Sequence, residues 1–224
     1  MHLEVLVEDA SGSIATGVLL GKILGPHGLA HSWRIHPYKG VGRLPQDLHM
    51  CPNVRKRILL ENLPRLLAGY GRAFRYVDDA AVLVVVDSDR HDCIAFKAEL
   101  QAVLRRCAPA PRALFRIAIE EMEAWLLGDR AAVEAAYPQA KRRVLEHYHQ
   151  DSVCGTWEVL ADAIHPGGSA GLKKQGYPII GQAKCIWASK IAPHINIESN
   201  RSESFRIFCE GILKLRDRSA SARK

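Results

Sequence analysis

The sequence predicts an α/β fold in which a parallel sheet is flanked by helices. Over residues 1–127, short and nearly continuous apolar runs alternate with segments that carry apolar residues at helical spacing. Runs of the first kind are typical of strands buried on both faces, and their alternation with helices favours parallel strands joined by right-handed crossovers. The 224 residues are 48% hydrophobic and 25% charged, which fits a globular chain and excludes a disordered or collagen-like one.

The pattern predicts four strands and four helices in alternation. The strands are predicted at Leu3–Val7, His31–Tyr38, Ala81–Val86 and Arg112–Ile119. The helices are predicted at Ile14–Leu24, Val54–Ala68, Asp92–Arg106 and Glu120–Leu127. Ser13 and Asp92 are expected to cap the first and third helices, and Pro64 is expected to kink or restart the second.

Beyond Arg130 the pattern is helical. Helices are predicted at Ala131–Tyr137, Lys141–His149, Trp157–Ile164, Ala183–Ile191 and Ser202–Leu215, with a long loop over His165–Gly181. We therefore expect an α/β domain at 1–128, a helical C-terminal extension packed on it at 129–216, and a flexible basic tail at 217–224. Trp125 and Trp187 are expected to be core residues.

Charge and composition favour a polyanionic substrate and argue against a membrane partner or a zinc site. Lys and Arg total 31 against 24 Asp and Glu, and the basic excess lies in the flanks of the chain rather than in its slightly acidic middle. This distribution fits a negative metal pocket with a basic rim that receives a polyanion. No apolar run approaches the roughly 20 residues of a membrane span, and the N-terminus lacks the pattern of a secretory signal, so we expect a cytoplasmic chain with no membrane partner. The six cysteines form no CxxC pair, which favours reduced thiols over a zinc site.

Acidic residues follow the predicted strands. Open parallel sheets bind ligands at the carboxyl ends of their strands, where Glu8 closes the first strand and Asp87 and Asp89 close the third. Residues two apart in extended backbone point the same way, so the two aspartates are expected to face one site together with Glu8. Clustered carboxylates repel each other without a cation, and oxygen ligands suit a hard ion such as Mg²⁺.

Three further acids follow the fourth strand. On a helix, Glu120 and Glu123 would share a face whereas Glu121 would point elsewhere, so at least one of the three is expected to be solvated. The alternative for any one of these acids is a cap or turn residue, which needs no metal.

Basic residues supply candidate phosphate contacts. Lys39 and Arg43 lie in a glycine-rich loop after the second strand, where glycines let a backbone approach phosphate and Lys39 would act as a point charge. The loop has neither the Rossmann nor the P-loop spacing, so no nucleotide cradle is predicted. Lys184 and Lys190 are further nucleic-acid-binding candidates, and a solvated surface role is the alternative for each.

Two stretches resemble a known fold family. LVED at 6–9 and VVVDSDRHDC at 84–93, in a four-strand α/β unit, resemble a Toprim domain, the fold of topoisomerases, bacterial primases, RecR-type proteins and OLD-family nucleases. A closer resemblance, to the family of domain of unknown function 4276, adds ENLPRLLAGY at 61–70, RIAIEEMEAWLLGD at 116–129 and SESFRIFCEGI at 202–212.

The resemblance implies roles for the acids. Glu8 would match the Toprim glutamate, which serves in acid–base chemistry or metal binding, and Asp87 and Asp89 would hold Mg²⁺ or Mn²⁺. Glu120 and Glu123 would supply a second metal position, as in OLD-family nucleases. Toprim domains commonly have glycine after the glutamate, whereas this chain has Asp9.

The resemblance also implies a function. We expect a Mg²⁺- or Mn²⁺-dependent nuclease that hydrolyses phosphodiester bonds in DNA or RNA, as a component of a bacterial phage-defence system with an ATPase encoded alongside. The alternative is a non-catalytic Toprim module that binds nucleic acid or bridges it to a partner. A weaker third possibility is a hydrolase of free nucleotides.

Overall fold

The computed structural model describes residues 1–45 and 54–221, and Cys51 and the last three residues of the predicted tail lie outside them. The fold is α/β, with one all-parallel sheet in the order β2-β1-β3-β4 and helices on both faces, as in a Rossmann-like fold. The strands are β1 (His2–Val7), β2 (Ser32–Pro37), β3 (Ala80–Asp87) and β4 (Ala113–Ala118). The predicted fold class is confirmed.

The strand order brings the first and third strands together at the centre of the sheet. β1 pairs in parallel with β3, and Val7 lies opposite Val85. Both strands are buried on both faces, which explains their nearly unbroken apolar sequences. Because parallel strands end at the same edge, the residues that follow β1 and β3 emerge side by side.

Ten α-helices surround the sheet in the described part of the chain. They are α1 (Ala10–Leu24), α2 (Leu59–Ala73), α3 (Cys93–Arg105), α4 (Glu123–Leu127), α5 (Arg130–Ala136), α6 (Arg142–His147), α7 (Thr156–Ile164), α8 (Gly168–Gln175), α9 (Tyr177–Ile191) and α10 (Glu203–Ser221). One face of the sheet packs against α2 and α3. The other packs against α1 and the C-terminal helices, so residues on both sides of position 128 share one core. Trp125 and Trp187 are buried in that core, as predicted.

Several element boundaries differ from the prediction. Asp9 rather than Ser13 caps α1, because the Asp9 carboxylate accepts a hydrogen bond from Gly12 N at 2.6 Å. A 3₁₀ turn at Val54–Lys56 precedes α2, which runs unbroken through Pro64. Asp92 caps α3 as predicted, accepting from Ala95 N at 2.7 Å.

The predicted loop at 165–181 is wrong. It contains α8 and the first turn of α9, separated by Gly176 at φ +88°. Its glycines have a low helix propensity and its lysines are polar, but both helices form and bury Leu172 and Ile180 in the core. Likewise α10 continues to Ser221, past the point where a flexible tail was expected at 217. No helix in the described ranges is both long and apolar enough to cross a membrane.

Candidate active site at the carboxyl edge of the sheet

Glu8 and Asp87 meet where β1 and β3 end. Glu8 follows the last residue of β1 and Asp87 is the last residue of β3. The backbone N–H of Asp87 donates a hydrogen bond to Glu8 Oε2 at 3.0 Å. Both residues are partly buried, so two carboxyl groups share one confined site.

Asp89 lies in a different conformation from the one expected. The strand ends at Asp87, and Asp89 takes a left-handed φ of +47° in an exposed turn, so the prediction that both aspartates point the same way along an extended backbone is wrong. The Asp89 N–H donates to the backbone oxygen of Glu120 at 2.9 Å, which joins the turns after β3 and β4. Asp89 still lies close enough to Glu8 to repel its negative charge.

Lys184 of α9 reaches the same site from the C-terminal helices. Its ammonium nitrogen lies 3.1 Å from Glu123 Oε2 and 3.4 Å from Glu121 Oε1. The side chains of Lys184 and Glu123 are only 13% and 1% exposed, so this is a buried ion pair. We call Glu8, Asp9, Asp87, Glu121 and Glu123, together with Lys184, the carboxylate cluster.

Glu120 is turned away from the carboxylate cluster. Its carboxylate accepts hydrogen bonds from the N–H groups of Cys154, Gly155 and Thr156 and from the Thr156 hydroxyl, at the start of α7. These donors lower the pKa of Glu120, although burial acts in the opposite direction. The prediction that Glu120 and Glu123 share a helix face is wrong, because Glu120 has φ +59° and precedes α4. Glu121, expected to point elsewhere, takes the place beside Glu123.

The pKa values of Glu8 and Asp87 are raised. Burial is the largest cause for both, since a charged carboxylate loses its hydration there. The Asp87 N–H opposes this effect at Glu8 and repulsion from Asp89 and Asp9 adds to it, which leaves the pKa of Glu8 at about 7. Repulsion from Glu8 raises the pKa of Asp87 well above its ordinary value, against the attraction of Lys184.

Lys184 partly neutralises the cluster. Burial alone would lower the pKa of Lys184, but attraction to Glu123, Glu121 and Asp87 outweighs it and holds the pKa well above its ordinary value. Burial still raises the pKa of Glu121, to about 7, and that of Glu123. Five carboxyl groups therefore surround one ammonium, and the cluster retains protons that isolated carboxyl groups would lose.

Asp9 acts as a helix cap beside the cluster. Besides Gly12 N, its carboxylate accepts from the Ser11 hydroxyl at 2.7 Å. A side chain on residue 12 would lie 2.9 Å from Val7 Cγ1 and 3.0 Å from Asp9 Oδ1, so glycine is needed there. The charge of Asp9 nevertheless raises the pKa of Glu8 and of Asp87.

The donor chemistry of the cluster fits a divalent cation. Mg²⁺ commonly binds one or two protein carboxylates and completes its shell with water and substrate phosphate. Glu8 and Asp87 would supply those carboxylates, since Glu123 Oε2 is already paired with the Lys184 ammonium at 3.1 Å. Within residues 1–45 and 54–221, no three His, Cys, Asp or Glu side chains form a ready-made metal cage. The cluster therefore suits a divalent cation by its negative charge and its oxygen donors, and Lys184 holds the acids together.

The predicted phosphate-binding residues lie in three places, since Lys184 belongs to the carboxylate cluster and the others lie in the loop after β2 and near the end of α9. Lys39 and Arg43 are exposed in the loop after β2, which is bonded to the site through Gly40 N and Glu8 O at 3.0 Å. Gly42 of this loop packs against Ile58, where any side chain would clash, so its glycine serves packing. Lys190 is exposed and lies over the Tyr137 ring at 5.5 Å, away from the cluster.

Sequence reasoning missed the pairing of Lys184 with Glu121 and Glu123. The sequence does signal that Lys184 is buried, because Lys184 lies on the same face of α9 as the buried Ile180, Trp187 and Ile191. A lysine in an apolar stripe needs a buried partner of opposite charge. Glu123 gives the matching signal, since it opens the apolar helix EAWLL.

One protein family matches this chain. The model of Domain of unknown function (DUF4276) matches residues 7–213. The chain belongs to the DUF4276 family. The match to DUF4276 covers the last residue of β1, the other three strands, the carboxylate cluster and most of α10. No curated protein and no solved structure matches the chain.

Proposed function

We propose that this DUF4276 protein is a divalent-metal-dependent phosphodiesterase that acts on nucleic acid. The observation that carries the proposal is the convergence of Glu8 and Asp87 at the ends of neighbouring central strands, where burial and repulsion raise the pKa of both. Carboxyl groups kept this close are costly to a fold unless they serve a cation. The same placement supports the expected likeness to Toprim domains.

The residues of the cluster suit hydrolysis of a phosphate ester. A bound Mg²⁺ or Mn²⁺, held by Glu8 and Asp87 with Asp89 at the rim, would supply Lewis-acid stabilisation of charge on the phosphate oxygens. The pKa of about 7 belongs to Glu8 in the metal-free site, where a proton and the cation would compete for the same carboxylate. Lys184 holds Glu121 and Glu123 in place and keeps a positive charge beside the phosphate.

The loop after β2 supports a polyanionic substrate. It carries the exposed Lys39 and Arg43, and its Gly40 N–H donates to the backbone oxygen of Glu8 at 3.0 Å. Arg57, also exposed, accepts through its backbone oxygen from Lys39 N at 2.9 Å, which brings the exposed Lys56 and Arg57 to the same loop. Non-specific contacts of this kind dominate affinity for nucleic acid and weaken as salt rises. From the family resemblance we also propose that an ATPase encoded alongside is its partner in a defence system, which co-purification of the two proteins tests.

One observation favours a second function, that of a non-catalytic nucleic-acid-binding module. Glu120, expected at a second metal position, is fully engaged at the start of α7, and Lys184 already neutralises part of the cluster. A protein that only binds nucleic acid would keep the basic loop and use Lys184 in place of a metal ion.

Cleavage assays separate the two functions. We expect labelled DNA or RNA to be cut by the purified chain with Mg²⁺ or Mn²⁺, and Asp87→Ala to lower the rate by on the order of 10³-fold. Glu99→Ala, which removes an exposed carboxylate of α3, is the matched control and should cut at the wild-type rate. Binding that survives both EDTA and Asp87→Ala, without cleavage, would support the binding module and overturn the phosphodiesterase.

A further inference from the structure

A cleft of about 910 Å³ opens directly beside the carboxylate cluster. Its wall is formed by the turn after β3, the turn after β4 and the segment that leads into α7. Glu121 belongs to both the cleft and the cluster, because one of its oxygens faces Lys184 while the other accepts from Trp157 N at 3.1 Å. A group bound in the cleft would thus adjoin a phosphate held at Glu8 and Asp87.

The lining of the cleft argues against a phosphate as its occupant. Four acids face it, Asp89, Glu120, Glu121 and Glu158, against the single arginine Arg90. The N–H groups that begin α7 would otherwise attract an anion, but Glu120 already accepts from them. Lys173 pairs with Glu158 Oε1 at 3.2 Å, but Glu158 Oε2 is buried without a hydrogen-bonding partner and suits an uncharged group with N–H donors.

Flat and apolar surfaces in the cleft suit a planar ring. Trp157 and His91 both line it, and Lys173 lies over one face of the Trp157 ring at 5.6 Å. The His91 ring is held in place by stacking on Phe96, with centroids 5.3 Å apart, and by a contact between Nδ1 and Ser88 O at 3.0 Å. Val153 is 57% exposed at the same wall. Nucleobases combine a planar face with amino groups that carboxylates accept from, and proteins bind unpaired bases by stacking them on such side chains.

The order of the strands places the basic loop, the carboxylate cluster and the cleft in a line. The basic loop follows β2, the shared carboxyl groups follow β1 and β3, and the cleft follows β4. Neighbouring strands lie about 4.8 Å apart, so the line from β2 to β4 spans roughly 14 Å. An extended nucleic-acid strand could therefore touch the basic loop, the cluster and the cleft at successive nucleotides.

The geometry points to a nucleobase-binding cleft, and hence to a nucleic acid that is unpaired next to the phosphate at the cluster. This inference rests on the proposed function for the phosphate site and adds the substrate class. A base within a duplex is stacked and paired, so it reaches the cleft only after leaving the helix.

Binding measured without cleavage tests the cleft. Fluorescence anisotropy of labelled DNA and RNA oligonucleotides, with Ca²⁺ in place of Mg²⁺, should give single strands about 10-fold tighter binding than blunt duplexes of the same sequence. A strand of the same length with abasic positions keeps its phosphates and should lose most of that advantage. Parallel DNA and RNA arms show which sugar the site prefers.

Two variants in the cleft and one control locate the contact. His91→Ala and Val153→Trp, which fills the cleft, should each weaken single-strand binding by about 5- to 10-fold and leave duplex binding unchanged. His147→Ala removes an exposed imidazole outside the cleft and should bind as wild type. Circular dichroism melts of the variants verify that each is folded.

The outcomes separate the cleft from the phosphodiesterase. Single-strand preference that His91→Ala and Val153→Trp reduce, in a protein that cuts nothing with Mg²⁺, upholds the cleft and overturns the phosphodiesterase. Cleavage of single strand and duplex at equal rates, with equal affinity for abasic and normal strands, upholds the phosphodiesterase and overturns the cleft. Absence of any oligonucleotide binding also overturns the cleft.

Discussion

Glu4 lies in β1 and Glu8 directly follows it, yet their pKa values shift in opposite directions. The Glu4 carboxylate is contacted by Nε2 of His36 and by Nε2 of His2 at 3.3 Å, and it accepts from the Tyr70 hydroxyl at 3.1 Å. Burial raises its pKa, but these three partners outweigh burial and lower it. Glu8 has the Asp87 N–H and several repelling acids, so its pKa rises to about 7.

The opposite pKa shifts of Glu4 and Glu8 show that burial alone does not identify a reactive acid. Glu4 and Glu8 are both partly buried, and they differ in the number of hydrogen-bond donors that each carboxylate has. A carboxylate that is fully satisfied stabilises the fold, whereas one that faces other carboxylates remains ready for a proton or a cation.

Removal of the Lys184 ammonium from the carboxylate cluster should have the largest effect on stability. Lys184→Met leaves buried carboxylates without a positive neighbour, and we expect the free energy of unfolding to fall by about 3–5 kcal/mol at pH 8. Urea denaturation followed by circular dichroism measures the change. Lys190→Met is the matched control on the same helix and should change stability by less than about 1 kcal/mol. Equal losses in the two variants would show that Lys184 does not neutralise the acids.

Neutralising each glutamate in turn should give stability changes of opposite sign. Glu4→Gln weakens bonds to a charged acceptor and should destabilise the protein by about 1–3 kcal/mol. Glu8→Gln removes a charge that the fold disfavours and should stabilise it by about 1–3 kcal/mol at pH 8. Urea denaturation of both, beside Glu99→Gln as a surface control, measures the signs. Destabilisation by Glu8→Gln at pH 8 would contradict its raised pKa.

The raised pKa values also predict how stability depends on pH. Glu8 and Glu121 titrate near 7 in the folded protein and near 4.5 when unfolded, so between these values the folded state binds more protons. Their contribution therefore falls as pH rises from about 4.5 to 7, by roughly 3 kcal/mol for each group. Thermal melts at pH 5 and pH 8 in EDTA should show the fall, and millimolar Mg²⁺ should reduce it at pH 8. A decline that Mg²⁺ leaves unchanged, in the wild type as in Asp87→Asn, would contradict metal binding at the cluster.

The sheet was predictable because its signals are local. AVLVVV at 81–86 is apolar without interruption, and only a strand buried on both faces accounts for it together with the aspartate that follows. The neighbouring places of Glu8 and Asp87 then follow from parallel pairing of β1 with β3.

The remaining features of the site depend on contacts that are distant in sequence. Helical periodicity placed Glu120 and Glu123 on one face, but the bonds between Glu120 and the start of α7 hold Glu120 outside the helix. Lys184 lies 61 residues beyond Glu123, and pairing across such a separation leaves no local pattern. The loop predicted at 165–181 is helical because tertiary packing overrides the weak helix propensity of its glycines.

The position of Lys184 late in the chain limits how far this protein can be shortened. The acids come from the first 123 residues, but the positive charge that balances them arrives on α9, after four intervening helices. A fragment trimmed at residue 128 would retain the negative centre without its counterion and would expose the apolar face that α9 and α10 cover. Any minimal version or transplant of the site must therefore carry the chain through to its last helix.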